Sequence, residues 1–80
     1  MLSDKTRCDC ITESHAVEVD YASKWYQAIG QSLHYSVVTG KKPGVVLIAG
    51  PDDQKYIDRL RRVIKTNDLE VTVWIVEEVK

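Results

Sequence analysis

The chain has 80 residues, enough for one domain with a small core and too few for two. With 44% hydrophobic and 29% charged residues it is not a disordered polyelectrolyte, and a formal net charge of −1 excludes a global basic field that would by itself announce nucleic acid. No apolar run approaches the roughly 20 residues of a membrane span, and the polar start from Met1 to Thr6 carries no leader pattern, so the cytoplasm is the expected compartment.

Residues 7–12 and 15–20 alternate as strands do. Cys8, Cys10, Val17 and Val19 fall on one face; Arg7, Asp9, Glu18 and Asp20 fall on the other. Glu13-Ser14 closes the two into a hairpin, and pairing Thr12 with His15 sets Cys10 opposite Val17 and Asp9 opposite Glu18. The turn is weak on paper, because no Gly or Asn stands where a tight hairpin wants one. His15 at its tip reads as a solvent-facing turn histidine. Cys8 and Cys10 are too close along one strand for a good disulfide, and no second Cys or His pair completes a zinc set. They read as two small buried apolar side chains.

Residues 21–39 read as a helix with Gly40 as its stop. "KKPG" at 41–44 is a turn, and "VVLIAG" at 45–50 is a continuous apolar run of the kind found in a strand buried on both faces. "GPDD" at 50–53 opens a second helix, with Pro51 in its first turn and Asp52 and Asp53 complementing its dipole. Tyr56, Ile57, Leu60 and Ile64 give this helix an apolar stripe to about Lys65, and Asn67-Asp68 end it. "LEVTVWIV" at 69–76 is the last strand, with Trp74 in a core or an interface. The order β-β-α-β-α-β predicts a single α/β domain over 1–80, a mixed sheet of about four strands flanked by two helices.

The acids raise the functional question. Opposed like charges on neighbouring strands cost stability, so solvent, a basic neighbour such as Arg7, or a divalent cation must offset Asp9 against Glu18. Alternating charge on a half-exposed strand is also what plain solvation produces. Carboxylate oxygens suit Mg²⁺ or Mn²⁺. On the following helix, Lys24, Ala28, Gln31 and Tyr35 share one stripe, and Lys24 stands one turn beyond Asp20, within reach of the acids.

An Asp, a Glu-x-Lys on the next strand and then a helix make up the signature of the PD-(D/E)XK, or restriction-endonuclease-like, nuclease superfamily. Residues 7–49 resemble it, with Asp9 in the first position and Glu18-Val19-Asp20 in the second. "GQSLHY" at 30–35 is similar to the Gln-x-x-x-Tyr motif of its RecB-like members, here Gln31 and Tyr35. Three departures stand out. Asp20 occupies the usual lysine position, Cys8 replaces the proline before the first acid, and the family's first helix and strand have no room before Arg7. Lys24 is placed as in members that carry the lysine on the helix. The resemblance implies a minimal ββαβαβ version of that fold. It implies Asp9 and Glu18 as metal ligands with the Val19 carbonyl, and Asp20 on a second ion. It also implies that Lys24 orients or deprotonates the attacking water, while Gln31 and Tyr35 position phosphate or water.

A second stripe, Ala22, Trp25, Ile29 and Leu33, lies about 150° around the same helix. If the polar stripe approaches the acids, a second copy of the chain is expected to cover Trp25, Ile29 and Leu33, as exposed apolar stripes mark interfaces. Two Trp and four Tyr in so short a chain point the same way. His34 flanks the polar stripe and reads as a surface residue. Lys55, Arg59, Arg61, Arg62 and Lys65 make the second helix basic, either as a solvated face partly paired with Asp58 or as a phosphate-backbone contact. The expected activity is metal-dependent hydrolysis of phosphodiester bonds in DNA. The alternative is a non-catalytic module that binds nucleic acid or protein on a degenerate nuclease scaffold.

Overall fold

The structure, a computed structural model, describes residues 10–78. Within them the chain forms β1 (Cys10–Ile11), β2 (His15–Tyr21), a 3-10 turn (Ala22–Lys24), α1 (Trp25–Thr39), β3 (Lys42–Ala49), α2 (Gln54–Thr66) and β4 (Thr72–Glu77). The sheet order is β1-β2-β3-β4, with β1 antiparallel to β2 and the other neighbours parallel. This is the ββαβαβ arrangement with a four-stranded mixed sheet read from the sequence.

The hairpin register is also the expected one, Cys10 opposite Val17 and Ile11 opposite Ala16. Thr12 supplies what the turn lacks in glycine. Its N–H donates to the His15 carbonyl at 2.8 Å, and its Oγ1 accepts from the N–H groups of His15 (2.9 Å) and Ser14 (3.3 Å). The Lys41 ammonium donates to the Thr12 carbonyl and, at 3.3 Å, to that of Glu13, tying the turn to the far end of α1.

Helix α1 ends as its sequence says. Gly40 adopts a left-handed φ of 70° and donates its N–H to Ser36 at 2.9 Å. Strand β3 begins earlier than expected, at Lys42, and takes in Pro43. Proline is tolerated there because Pro43 pairs only with Ala16 of β2; pairing with β4 starts one residue later, at Gly44. Helix α2 starts later than expected, at Gln54. Pro51 and Asp52 form a turn instead. It is closed by Asp53, whose N–H donates to the Gly50 carbonyl (3.2 Å) and whose Oδ2 accepts the Gly50 N–H (2.7 Å). Neither aspartate therefore enters the first turn of α2. At the far end Asp68 takes a left-handed φ of 51°, and Leu69 donates back to Ile64 at 2.9 Å.

Two successive right-handed crossovers that step in one direction along a sheet put both helices on one face. The core lies between that face and the helices: Val45, Leu47 and Ala49 from β3, Ala28 and Ile29 from α1, Ile57 and Leu60 from α2. The result is two layers, only 19 Å through in the thinnest direction. The opposite face of the sheet is open. Val46 and Ile48 are half-buried rather than enclosed on both sides, and Cys10, expected inside, is exposed. Trp74 is 42% exposed on this face and lies across Gly44, where an added Cβ would meet its ring at 2.8 Å.

Candidate functional site

The parallel register aligns Glu18 with Val45 and Asp20 with Leu47. Residues aligned across a sheet share a face, so both acids point to the helix layer. The strand alternation seen in the sequence therefore has an unexpected sense, with the acidic face of β2 turned inward and the valine face turned out. Glu18 is buried at 7% exposure, Asp20 is half-buried, and plain strand solvation does not describe Glu18. The Glu18 Oε2 atom is buried and receives no hydrogen bond among the described residues, although the residue as a whole is engaged in other interactions. Asp20 Oδ1 accepts the N–H of Tyr21 at 2.8 Å, which orients the carboxylate toward the end of the strand. Asp9, the expected partner of Glu18, lies outside the described residues.

Helix α1 does not choose between its two stripes. The buried positions include Ala28 and Tyr35 from the polar stripe, Ala22 (in the preceding 3-10 turn) and Ile29 from the apolar one, and Ser32 between them. Trp25 and Leu33 are half-buried. From Tyr35 round to Leu33 this is an arc of about 160° at 100° per residue. It is that wide because α1 leans on β2 and β3 below and on α2 beside it. The expected homodimer surface is thus corrected. Ile29 belongs to the chain's own core, and Trp25 and Leu33 pack against it.

The polar members of the stripe separate accordingly. Tyr35 is buried, outside the main apolar cluster. Gln31 and Lys24, at the margin of the arc, are exposed. The Gln-x-x-x-Tyr pair is therefore split between rim and interior. Ser32, buried between them, donates its hydroxyl to the Ile29 carbonyl at 2.9 Å and has no chemistry to offer.

His15 is not the free turn histidine expected. It begins β2, half-buried, with Nδ1 hydrogen-bonded to Ser14 Oγ (2.6 Å) and Nε2 to Thr72 Oγ1 (3.0 Å). Its ring meets Trp74 edge-on at 5.6 Å. This is a structural clasp between β2 and β4 on the open face. His34 is exposed, as expected.

Comparison with protein-family models, curated proteins and solved structures returns no match. The site is therefore read from its own geometry. No group of three or more His, Cys, Asp or Glu among the described residues is placed to hold a metal ion. What remains is a two-carboxylate set, Glu18 and Asp20, on one strand face.

Two further features lie on the helix side. Lys55, Arg59, Arg61, Arg62 and Lys65 of α2 are all exposed. Asp58, expected to pair with them, accepts instead from the Gln54 amide at 2.9 Å, and Lys55 and Arg59 flank the Tyr56 ring at 5.1 and 5.6 Å. Helix α2 also touches the 3-10 turn that carries Lys24. A cleft of about 360 Å³, lined by Ala49, Gly50, Gln54, Ile57, Ile75 and Glu77, opens at the carboxyl ends of β3 and β4. Ligands of open α/β sheets bind at such ends. Sequence reasoning did not single it out, and its one available signal was the strand-Gly-Pro-helix junction at 49–51.

No helix among the described residues is long and apolar enough to cross a membrane.

Proposed function

We propose that this chain is a divalent-metal-dependent nuclease domain of the restriction-endonuclease-like class, hydrolysing phosphodiester bonds in DNA in the cytoplasm. The observation that carries the reading is the burial of Glu18 on the helix-facing side of β2, with Asp20 two residues along the same face. A strand that needed only solubility would have put the acids on the other face.

The donor set fits a hard cation. Mg²⁺ and Mn²⁺ take oxygen ligands, and Mg²⁺ is commonly held by one or two carboxylates with water completing the shell. Glu18 and Asp20 would hold the ion, and the family resemblance adds Asp9, which lies outside the described residues. When bound, such an ion lowers the pKa of water and stabilises charge on a phosphodiester. The chain's own groups supply the rest. The Lys24 ammonium, one turn beyond Asp20, would orient the attacking water. Tyr35 and Gln31, inside and at the rim, would position the phosphate or that water. The exposed cations of α2, on the same side of the sheet and next to the turn that carries Lys24, would take the DNA backbone.

The exposure of Lys24 and Gln31 favours a second reading, a module that keeps the scaffold and binds nucleic acid without cutting it. Plasmid nicking in Mg²⁺ or Mn²⁺ separates the two. The enzyme is expected to nick, with losses of about 10²-fold or more in Glu18→Gln and Lys24→Ala, the scale of a lost acid–base or charge-stabilising group. No nicking, together with no Mn²⁺ heat in calorimetry, eliminates the nuclease. DNA binding that persists without it selects the module.

A further inference from the structure

Charge is sharply segregated in this molecule. Helix α2 holds five of the chain's 11 Lys and Arg and one of its 12 Asp and Glu, a net charge of +4 on a chain whose total is −1. Asp58, the one acid of the helix, is engaged by the Gln54 amide. A local field of this kind draws a polyanion although the whole chain does not.

Handedness decides which side of α2 the cations occupy. Seen from the helix layer with the parallel strands pointing up, right-handed crossovers set α2 to the right of α1, and both helices run down. In that view, residues that follow the sheet-facing direction by up to about 100° turn right, and those that precede it turn left. Helix α1 obeys this: Ile29 and Leu33, on its right, join the apolar cluster with Ile57 and Leu60 of α2. Tyr26 and Val37 come next round the same flank, 59% and 83% exposed. Between them Gly30 leaves open space, with nothing within 4 Å of where a Cβ would stand. The Tyr26 ring is braced by Trp25 in an edge contact at 5.8 Å. On α2 the fully buried Leu60 marks the sheet-facing direction. Tyr56 and Arg59 fall on its left, toward α1, and Lys55 and Arg62 stand higher on the same shoulder. Lys55 and Arg59 keep to this side, 5.1 and 5.6 Å from the centre of the Tyr56 ring. The two helices touch, so the two shoulders form the walls of one furrow, cationic on α2 and aromatic on α1.

We propose that this furrow binds single-stranded DNA, with phosphates on Lys55, Arg59 and Arg62 and a base stacked on Tyr26. A basic groove beside an exposed aromatic is how single strands are held without sequence readout. A duplex turns its base faces inward and would use the basic wall alone. This deepens the nuclease reading by naming its substrate class, and it rests on the nucleic-acid part of that reading, not on cleavage.

Fluorescence anisotropy of a labelled oligothymidylate of about 15 nucleotides, in EDTA so that nothing is cut, tests it. Binding is expected at about 50 mM salt, tighter than to a duplex of equal length, with log K falling against log salt at a slope of about −2 for three phosphates. Tyr26→Ala should weaken it about 5-fold or more and leave the slope unchanged, and Tyr26→Trp should keep the affinity. Arg59→Ala should flatten the slope by about 0.7. Both positions are exposed, so the far-UV CD spectrum should not change. No binding at about 100 μM chain, a duplex bound as tightly, polyglutamate competing as well as oligothymidylate, or a Tyr26→Ala variant with full affinity overturns the proposal. Single-strand binding without Mn²⁺ heat or nicking removes the nuclease and keeps the furrow; nicking without it does the reverse.

Discussion

Gly44→Ala isolates the contact that shapes the open sheet face. A Cβ added at Gly44 would stand 2.8 Å from Trp74 Cζ3 and 3.3 Å from Val17 Cγ2. The second distance yields to a shift of tenths of an ångström; the first does not, so the indole must swing outward. Forced rearrangement of this kind costs about 1–3 kcal/mol. Against it, replacing a strand glycine with alanine gains about 0.5–1 kcal/mol of backbone entropy and packing. The net is a destabilisation of about 1 kcal/mol with Trp74 present. In a Trp74→Ala background the obstacle is gone, and the same change should stabilise by about 0.5 kcal/mol. The sign thus reverses across a double-mutant cycle, with a coupling of about 1.5 kcal/mol. Urea denaturation of the four proteins measures it. If the two effects of Gly44→Ala agree within about 0.3 kcal/mol, Trp74 does not rest on Gly44 and the reasoning fails.

Other changes test the core and the helix ends. Leu60→Ala removes a fully buried side chain between α2 and the sheet and should cost about 3 kcal/mol, lowering Tm by roughly 15 °C in a domain this small; a drop under about 5 °C would mean that α2 is not seated on β3. Gly40→Ala should destabilise by about 1 kcal/mol, because φ is 70° there and the position caps α1. Asp68→Gly, at φ 51°, should do the opposite by about 0.5 kcal/mol. Thermal melts read both, and equal signs for the two would contradict the left-handed conformations.

Local patterns were sufficient for the elements of this protein. Alternation over 15–20, the helical spacing after it, the Gly40 stop and the β-branched runs are short-range signals, and each reappears in the structure with ends displaced by a few residues. The displacements have local causes that the sequence displayed but did not rank. Thr12 closes a turn without glycine, Pro43 sits where β3 has one neighbour, and Asp53 turns its carboxylate back on Gly50. The hairpin register followed from the same alternation, because a slip by one residue would exchange the faces.

Which face of the hairpin points inward was not legible in this way. The strand pattern separates Glu18 and Asp20 from Val17 and Val19, but the period of two says nothing about where the helices lie. That was decided by the direction of the chain's crossovers. Both step the same way across the sheet, so both helices cover one face, and that face is the acidic one. The same event buried Ile29 inside the chain, left Lys24 and Gln31 at the surface, and left Val19, Tyr21, Trp74 and Val76 exposed. Sequence determined the strands, helices and turns because those depend on neighbours a few residues away. Which residues became core, candidate site or open surface depended on contacts between segments tens of residues apart, and only the tertiary structure decided it.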